Sequence, residues 1–248
     1  MTDFQLQQKD LDITGMYDQQ AKASIEKALH GAVDVDPGKA LPHQDKPQKD
    51  DHGIVISNPY EILSLVNKSH ALPTDFVPKD LVTPDVPFPF TEDLPKKQMR
   101  KPAANAMENM FAAAKKDGIN LYAQSGYRSY ERQEALFASY AEKDGEDAAN
   151  KYSARPGQSE HQTGLTMDVT SPAIDFGIDE RFADTKEGKW LAAHCADYGF
   201  IIRYPKGKED ITKYEYEAWH IRYVGEKAAK QIMKNHSTLE EYLKKLPK

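Results

Sequence analysis

The residues with most chemical content lie in Ser159-Glu160-His161-Gln162-Thr163-Gly164-Leu165-Thr166-Met167-Asp168 and, further along, in Glu217-Ala218-Trp219-His220. The first stretch sets a histidine and an aspartate seven residues apart with a glycine between them. The second supplies a glutamate and another histidine. Two imidazoles and one carboxylate can hold a metal, and one carboxylate is left over. That is the inventory of a hydrolytic zinc site: three protein ligands, an open position for water, and a general base. Taken alone, the first stretch is weak evidence for a metal, and its plainer reading is a loop histidine and a strand-end aspartate capping a turn.

The elements that must position these groups follow from side-chain alternation. Leu165, Met167 and Val169 alternate with Thr166, Asp168 and Thr170, which predicts a half-buried strand with Asp168 on its polar face. Gly164 lets the chain turn between His161 and that strand. In 214–224, Trp219, Ile221 and Tyr223 share one face while His220 and Arg222 share the other. Glu217 and His220 are three apart, so a flat strand sends them to opposite sides. Both can serve one site only if the backbone bulges or bends near Ala218. Arg128 falls between a strand predicted over 119–124 and a helix predicted over 130–143, N-capped by Ser129, a common place for functional side chains.

The rest of the chain reads as scaffold. An apolar stripe of Ala103, Ala106, Met107, Met110, Phe111 and Ala114 predicts a helix over 98–117, ended by Gly118. The prolines of 73–89 exclude helix and central strand, and predict an extended segment wrapping the core, anchored by Phe76, Phe88 and Phe90. A loop is expected over 144–160, a helix over 188–198, a strand over 200–204, and helices over 225–235 and 238–245. Residues 62–66 suggest a short helix or strand, and 19–30 a short helix. Residues 31–53, rich in Pro, Asp, Lys and Gly and carrying His43 and His52, read as a linker. Mixed elements without regular βαβ alternation favour α+β with an antiparallel sheet.

The 248 residues are 29% charged and 39% hydrophobic, with a net charge of −6, which gives no electrostatic reason to expect nucleic acid. Apolar runs are too short to cross a membrane. The single cysteine, Cys195, allows no internal disulfide and sits in an apolar helical pattern, as a buried inert thiol would. The chain opens without a basic and apolar leader.

Ser125-Gly126-Tyr127-Arg128-Ser129, the run from Pro156 to Leu165, Asp168, Tyr198-Gly199-Phe200, Arg203-Tyr204-Pro205 and the run from Glu217 to Gly225 together resemble the VanY-type zinc carboxypeptidases of bacterial cell walls, and most closely their LdcB-like L,D-carboxypeptidases. The resemblance spans about 58–247. It implies a single compact α+β domain over 58–248, with a central antiparallel sheet flanked by helices in the zinc D-Ala-D-Ala peptidase or hedgehog-like fold, preceded by a tail and flexible linker over 1–57. It implies Zn2+ held by His161, Asp168 and His220, with Glu217 as base. It places Arg128 beside the scissile carbonyl or the substrate carboxylate, and Gln133, Ser159 and Tyr204 in the pocket for a terminal D-alanine. Ala218 departs from the proline usual in the family.

The implied activity is L,D-carboxypeptidase action on peptidoglycan tetrapeptides. The alternatives are D,D-carboxypeptidase action on pentapeptides and, more remotely, an inactive zinc-stabilised wall-binding module. The implied setting is extracytoplasmic, for a monomer at the membrane or wall, held by a tether and targeting segment not present in this chain. The stem peptide is the expected partner.

Overall fold

The computed structural model describes residues 4–5, 8, 11, 13, 19–29, 48–50 and 53–246. Helix α1 (Gln19–Leu29) forms where the spacing of Ala21, Ile25, Ala28 and Leu29 predicts it. Strand β1 (Gln48–Asp50) pairs antiparallel with β2 (Gly53–Val55), and β2 runs parallel to β3 (His70–Ala71). The expected linker over 31–53 lies largely outside the described residues, and its described end is strand. Pairing with β3 and the burial of Ile13 and Ile56 against Tyr60, Val66, Leu72 and Phe76 carry ordered structure upstream of residue 58.

Residues 62–66 form neither helix nor strand but a turn at 62–63 followed by irregular chain. The reason is the use made of their carbonyls: those of Ile62 and Ser64 accept hydrogen bonds from the buried Arg222 guanidinium. The proline-rich segment is extended as expected. Its strand β4 (Leu81–Val82) pairs with β5 (Met99–Arg100), Phe76 is buried, Phe88 packs on the main core, and Phe90 meets Phe88 edge-on.

Helix α2 (Lys101–Lys116) starts three residues later than predicted because Met99 and Arg100 are taken by β5 and Pro102 belongs in a first turn. Ala103, Met107, Met110, Phe111 and Ala114 are buried as the stripe requires; Ala104 joins them and Ala106 is half-buried. After β6 (Tyr122–Ser125), Ser129 caps α3 (Tyr130–Asp144) by accepting the Arg132 N–H. The expected loop over 144–160 contains a short helix, α4 (Glu146–Tyr152), whose polar sequence buries only Ala149 and so has no apolar stripe to announce it.

Strands β7 (Thr166–Thr170) and β8 (Phe200–Tyr204), with helix α5 (Lys186–His194) between them, are followed by α6 (Glu209–Thr212), β9 (Glu217–Tyr223), α7 (Glu226–Lys234) and α8 (Leu239–Lys245). The main sheet runs β6-β7-β9-β8, every neighbour antiparallel. Met167 and Val169 face a core shared with α2, but β7 is buried on both faces, so the half-buried reading underestimates what covers Asp168. Cys195 is fully buried, and burial pushes its thiol up to about 12, so it is inert.

Candidate active site

Both neighbours of β7 are irregular where they pass Asp168. On β6 the register shifts between Ala123 and Ser125, leaving Ser125 opposite Asp168. On β9 the pairing with β8 shifts between Ile202 and Tyr204: the four steps from Glu217 to Ile221 face only two. This is the distortion that the Glu217/His220 spacing demands. Ala218 turns into the core, while Glu217 Oε2 comes within 3.4 Å of His220 Nδ1. The regular side of β9 sets His220 directly opposite Asp168.

His161 arrives on a 3-10 turn over Glu160–Thr163, which Gly164 closes in the left-handed region (φ 67°). A side chain at Gly164 would also lie 2.9 Å from Arg100 Cγ and Leu81 Cδ2. The His161 ring accepts its orientation from the backbone: Nδ1 donates to the Gly126 carbonyl at 2.7 Å. That leaves Nε2 facing Asp168 Oδ2 at 3.4 Å. His220 Nδ1 faces Asp168 Oδ1 at 3.1 Å. The two imidazoles stand perpendicular with centroids 5.1 Å apart. One ligand atom from each of His161, Asp168 and His220 lies within 4.8 Å of the others, all three residues buried.

Gly126, just past the end of β6, is pressed against the backbone of residues 96–98 and the Met167 side chain. Its N–H donates to Lys96 O at 2.6 Å, and a Cβ there would stand 2.4 Å from Gln98 O, a backbone atom with no room to yield. Gly126→Ala is therefore expected to cost about 1–3 kcal/mol of stability, the range for overpacking, read from urea unfolding. An unchanged midpoint would mean that this segment can move and does not rigidly orient His161.

The electrostatics suit a cation. Burial works against a charged His220, yet Asp168, Glu160 and Glu217 outweigh it and carry the imidazole up to about 9. Burial, then Asp168, pushes Glu217 up to about 7. Burial and Arg128 push His161 down to about 3, so it stays neutral, the state that can ligate. Three crowded carboxylates thus draw a proton onto one imidazole, and a dication held beside Asp168 and Glu217 would offset the same negative charge in its place. The donor set of two imidazoles and one carboxylate fits zinc.

Arg128 donates through Nη1 to Gln133 Oε1 at 2.8 Å and through Nη2 to Ser125 Oγ at 3.3 Å. Both partners are neutral, so the guanidinium keeps its charge for a ligand. Gln133 is only 1% exposed, and its amide is spent on Arg128 and, at 2.6 Å, on Ala154 O. It stands behind Arg128 and not on the cleft wall, where the resemblance puts it. His161, Asp168, His220, Glu217, Arg128, Ser159 and Tyr204 all line one cleft of about 520 Å³. Tyr204 lies against the His220 ring, centroids 4.8 Å apart.

Sequence reasoning assigned no role to the ionic cluster behind the site. Glu160 Oε1 accepts from Arg203 Nε at 2.8 Å and Arg222 Nη1 at 2.7 Å, and Arg203 also donates to both oxygens of Glu240 on α8. Glu160, Arg203 and Arg222 have no exposed side-chain surface. The one signal available was an arginine inside the apolar run Phe200-Ile201-Ile202-Arg203-Tyr204.

Residues 96–226 match the family model for VanY, D-alanyl-D-alanine carboxypeptidase. The chain is 55% identical over 193 residues to the putative carboxypeptidase YodJ of Bacillus subtilis (strain 168), covering 78% of this chain and 71% of that protein. Among solved structures it is similar to the LdcB LD-carboxypeptidase, with 53% identity, a TM-score of 0.79, and coverage of 84% of this chain and 98% of that one. It is also similar to the vancomycin-resistance D,D-pentapeptidase VanY of a VanB-type cassette, solved in complex with Zn(II), with 32% identity, a TM-score of 0.57, and coverage of 73% and 98%. The chain belongs to the VanY family of carboxypeptidases, close to LdcB.

Proposed function

We propose that this protein is a zinc carboxypeptidase that removes the terminal D-alanine from peptidoglycan stem peptides, with tetrapeptides as its preferred L,D substrates. The observation that carries the reading is the convergence of His161, Asp168 and His220 within 4.8 Å, with Glu217 beside His220 and Arg128 in the same cleft. The L,D preference rests on likeness: 53% identity with the LdcB LD-carboxypeptidase against 32% with the D,D-pentapeptidase. D,D action on pentapeptides is the second reading. A binding module without activity would have no use for Glu217 beside a complete ligand set.

His161 Nε2, an Asp168 oxygen and His220 Nδ1 would hold the metal. Bound there, zinc would polarise the scissile carbonyl and bring the pKa of a water to about 7. Glu217 takes the proton from the attacking water and returns it to the departing amine as the C–N bond breaks. Arg128, fixed by Gln133 and Ser125, pairs with the free carboxylate of the substrate or the oxygen of the scissile carbonyl. Ser159 and Tyr204 flank the leaving D-alanine. The reading places the protein outside the cytoplasmic membrane as a monomer.

Incubation with tetrapeptide and pentapeptide muropeptides, followed by mass, tests the proposal. Loss of one alanine from the tetrapeptide is the expected result. Loss from the pentapeptide alone would establish the D,D reading instead, and no loss from either would reject both.

A further inference from the structure

Glu160 uses its two oxygens differently. Oε1 takes both arginines, at 2.7 and 2.8 Å. Oε2 is buried and has no hydrogen-bond partner among the described residues. It faces His220 Nε2 at 3.8 Å, and that nitrogen is likewise buried without a hydrogen-bond partner. Two buried polar atoms left in this state each carry a desolvation cost, and they point at one another.

The surroundings leave Glu160 little freedom. Arg203 is gripped by Glu240, whose Oε1 also accepts from Asn67 at 3.3 Å. Arg222 is gripped by the carbonyls of Ile62 and Ser64. Two arginines and two glutamates balance in charge, so Glu160 stays an anion that can only accept. It is anchored through Oε1, with Oε2 aimed at the imidazole. The anchors, Glu240 on α8 and the carbonyls of Ile62 and Ser64, lie outside the stretch 96–226 that matches the family model.

We propose that Glu160 is a positioning residue that fixes the tautomer of His220: its Oε2 accepts the Nε2–H, which leaves Nδ1 unprotonated and aimed at the site shared with Asp168. This deepens the metal reading above and rests on it. A ring shift of about 1 Å closes the 3.8 Å approach to hydrogen-bond length. In an imidazole, the nitrogen that ligates is set by the bond the other nitrogen makes. His161 is arranged on the same logic, with Gly126 O holding its Nδ1–H. Glu160→Gln can keep a carbonyl oxygen on the arginines, but then it turns an NH2 donor toward His220 Nε2. That favours the proton on Nδ1, the wrong atom.

The test compares zinc affinity in the wild type, Glu160→Gln and Glu240→Gln, by competition with a chromophoric chelator, with folding checked by circular dichroism. Glu160→Gln is expected to bind zinc 10–100-fold more weakly, the range for removing such an outer partner. Glu240→Gln loosens Arg203 at the far end of the same cluster but leaves Glu160 its acceptor oxygen toward His220, and is expected to weaken zinc by clearly less than Glu160→Gln does. Wild-type affinity in folded Glu160→Gln, or equal weakening in both variants, would overturn the proposal. Should Glu160→Gln not fold, 15N-labelled histidine in the zinc-loaded wild type decides. A proton on His220 Nε2 with ligation through Nδ1 supports the proposal, and ligation through Nε2 sinks it. A wild type that binds no zinc would overturn the metal reading itself, and this inference with it.

Discussion

Glu217→Gln is expected to bind about one zinc per chain, fold normally, and turn over roughly 10²–10⁴-fold more slowly, the usual contribution of a general base. Glutamine keeps the shape and much of the hydrogen bonding of Glu217 but cannot take a proton. The distinction matters because Glu217 Oε2 stands 3.4 Å from His220 Nδ1, close enough for Glu217 itself to be a ligand. Metal analysis of the purified variant, beside its rate, separates the two roles. Loss of zinc would make Glu217 a ligand and require another base. Undiminished turnover would remove it from the chemistry.

The second large effect is expected at Arg128. Arg128→Lys should lose at least about a hundredfold in turnover, the scale of an oxyanion donor. Lysine keeps the charge but has one nitrogen where the guanidinium has a fork. Arg128 spends Nη1 on Gln133 and Nη2 on Ser125 to hold its plane toward the cleft, and a single ammonium cannot keep both and still reach two ligand oxygens. Gln133 has no other ligand-facing work, since its amide is bonded to Ala154 O and Arg128. Steady-state kinetics on the tetrapeptide check this, and near-normal values would place Arg128 outside the catalytic step.

The grouping of His161, Asp168 and His220 was legible because such residue types are few and their spacing is demanding, and the fold does bring the three together. The conflict between Glu217 and His220 on a flat strand forecast a distortion near Ala218, and the register break between β8 and β9 lies there. The helix carrying Met107 and Met110 was legible because an apolar stripe at helical spacing has one structural meaning. What escaped was whatever depends on long-range pairing. Helix α4 buries one alanine and leaves no stripe. Residues 62–66 look like a regular element but give their carbonyls to Arg222, roughly 160 residues away. Glu160 and Arg222 look like surface charge until the fold brings them together and removes water. Gln133 sits at a position that the family resemblance assigns to the pocket, and only its amide contacts reveal that it serves Arg128 from behind.

The most direct measurement of the central claim is metal removal with readdition. The protein is dialysed against a chelator, and release of alanine from a muropeptide tetrapeptide is followed by mass before and after stoichiometric zinc is restored. The account predicts that turnover disappears with the metal and returns with zinc, while the metal-free protein keeps its fold well enough to be reloaded. Undiminished turnover in metal-free protein would contradict it, because His161, Asp168 and His220 would then have no catalytic metal to hold.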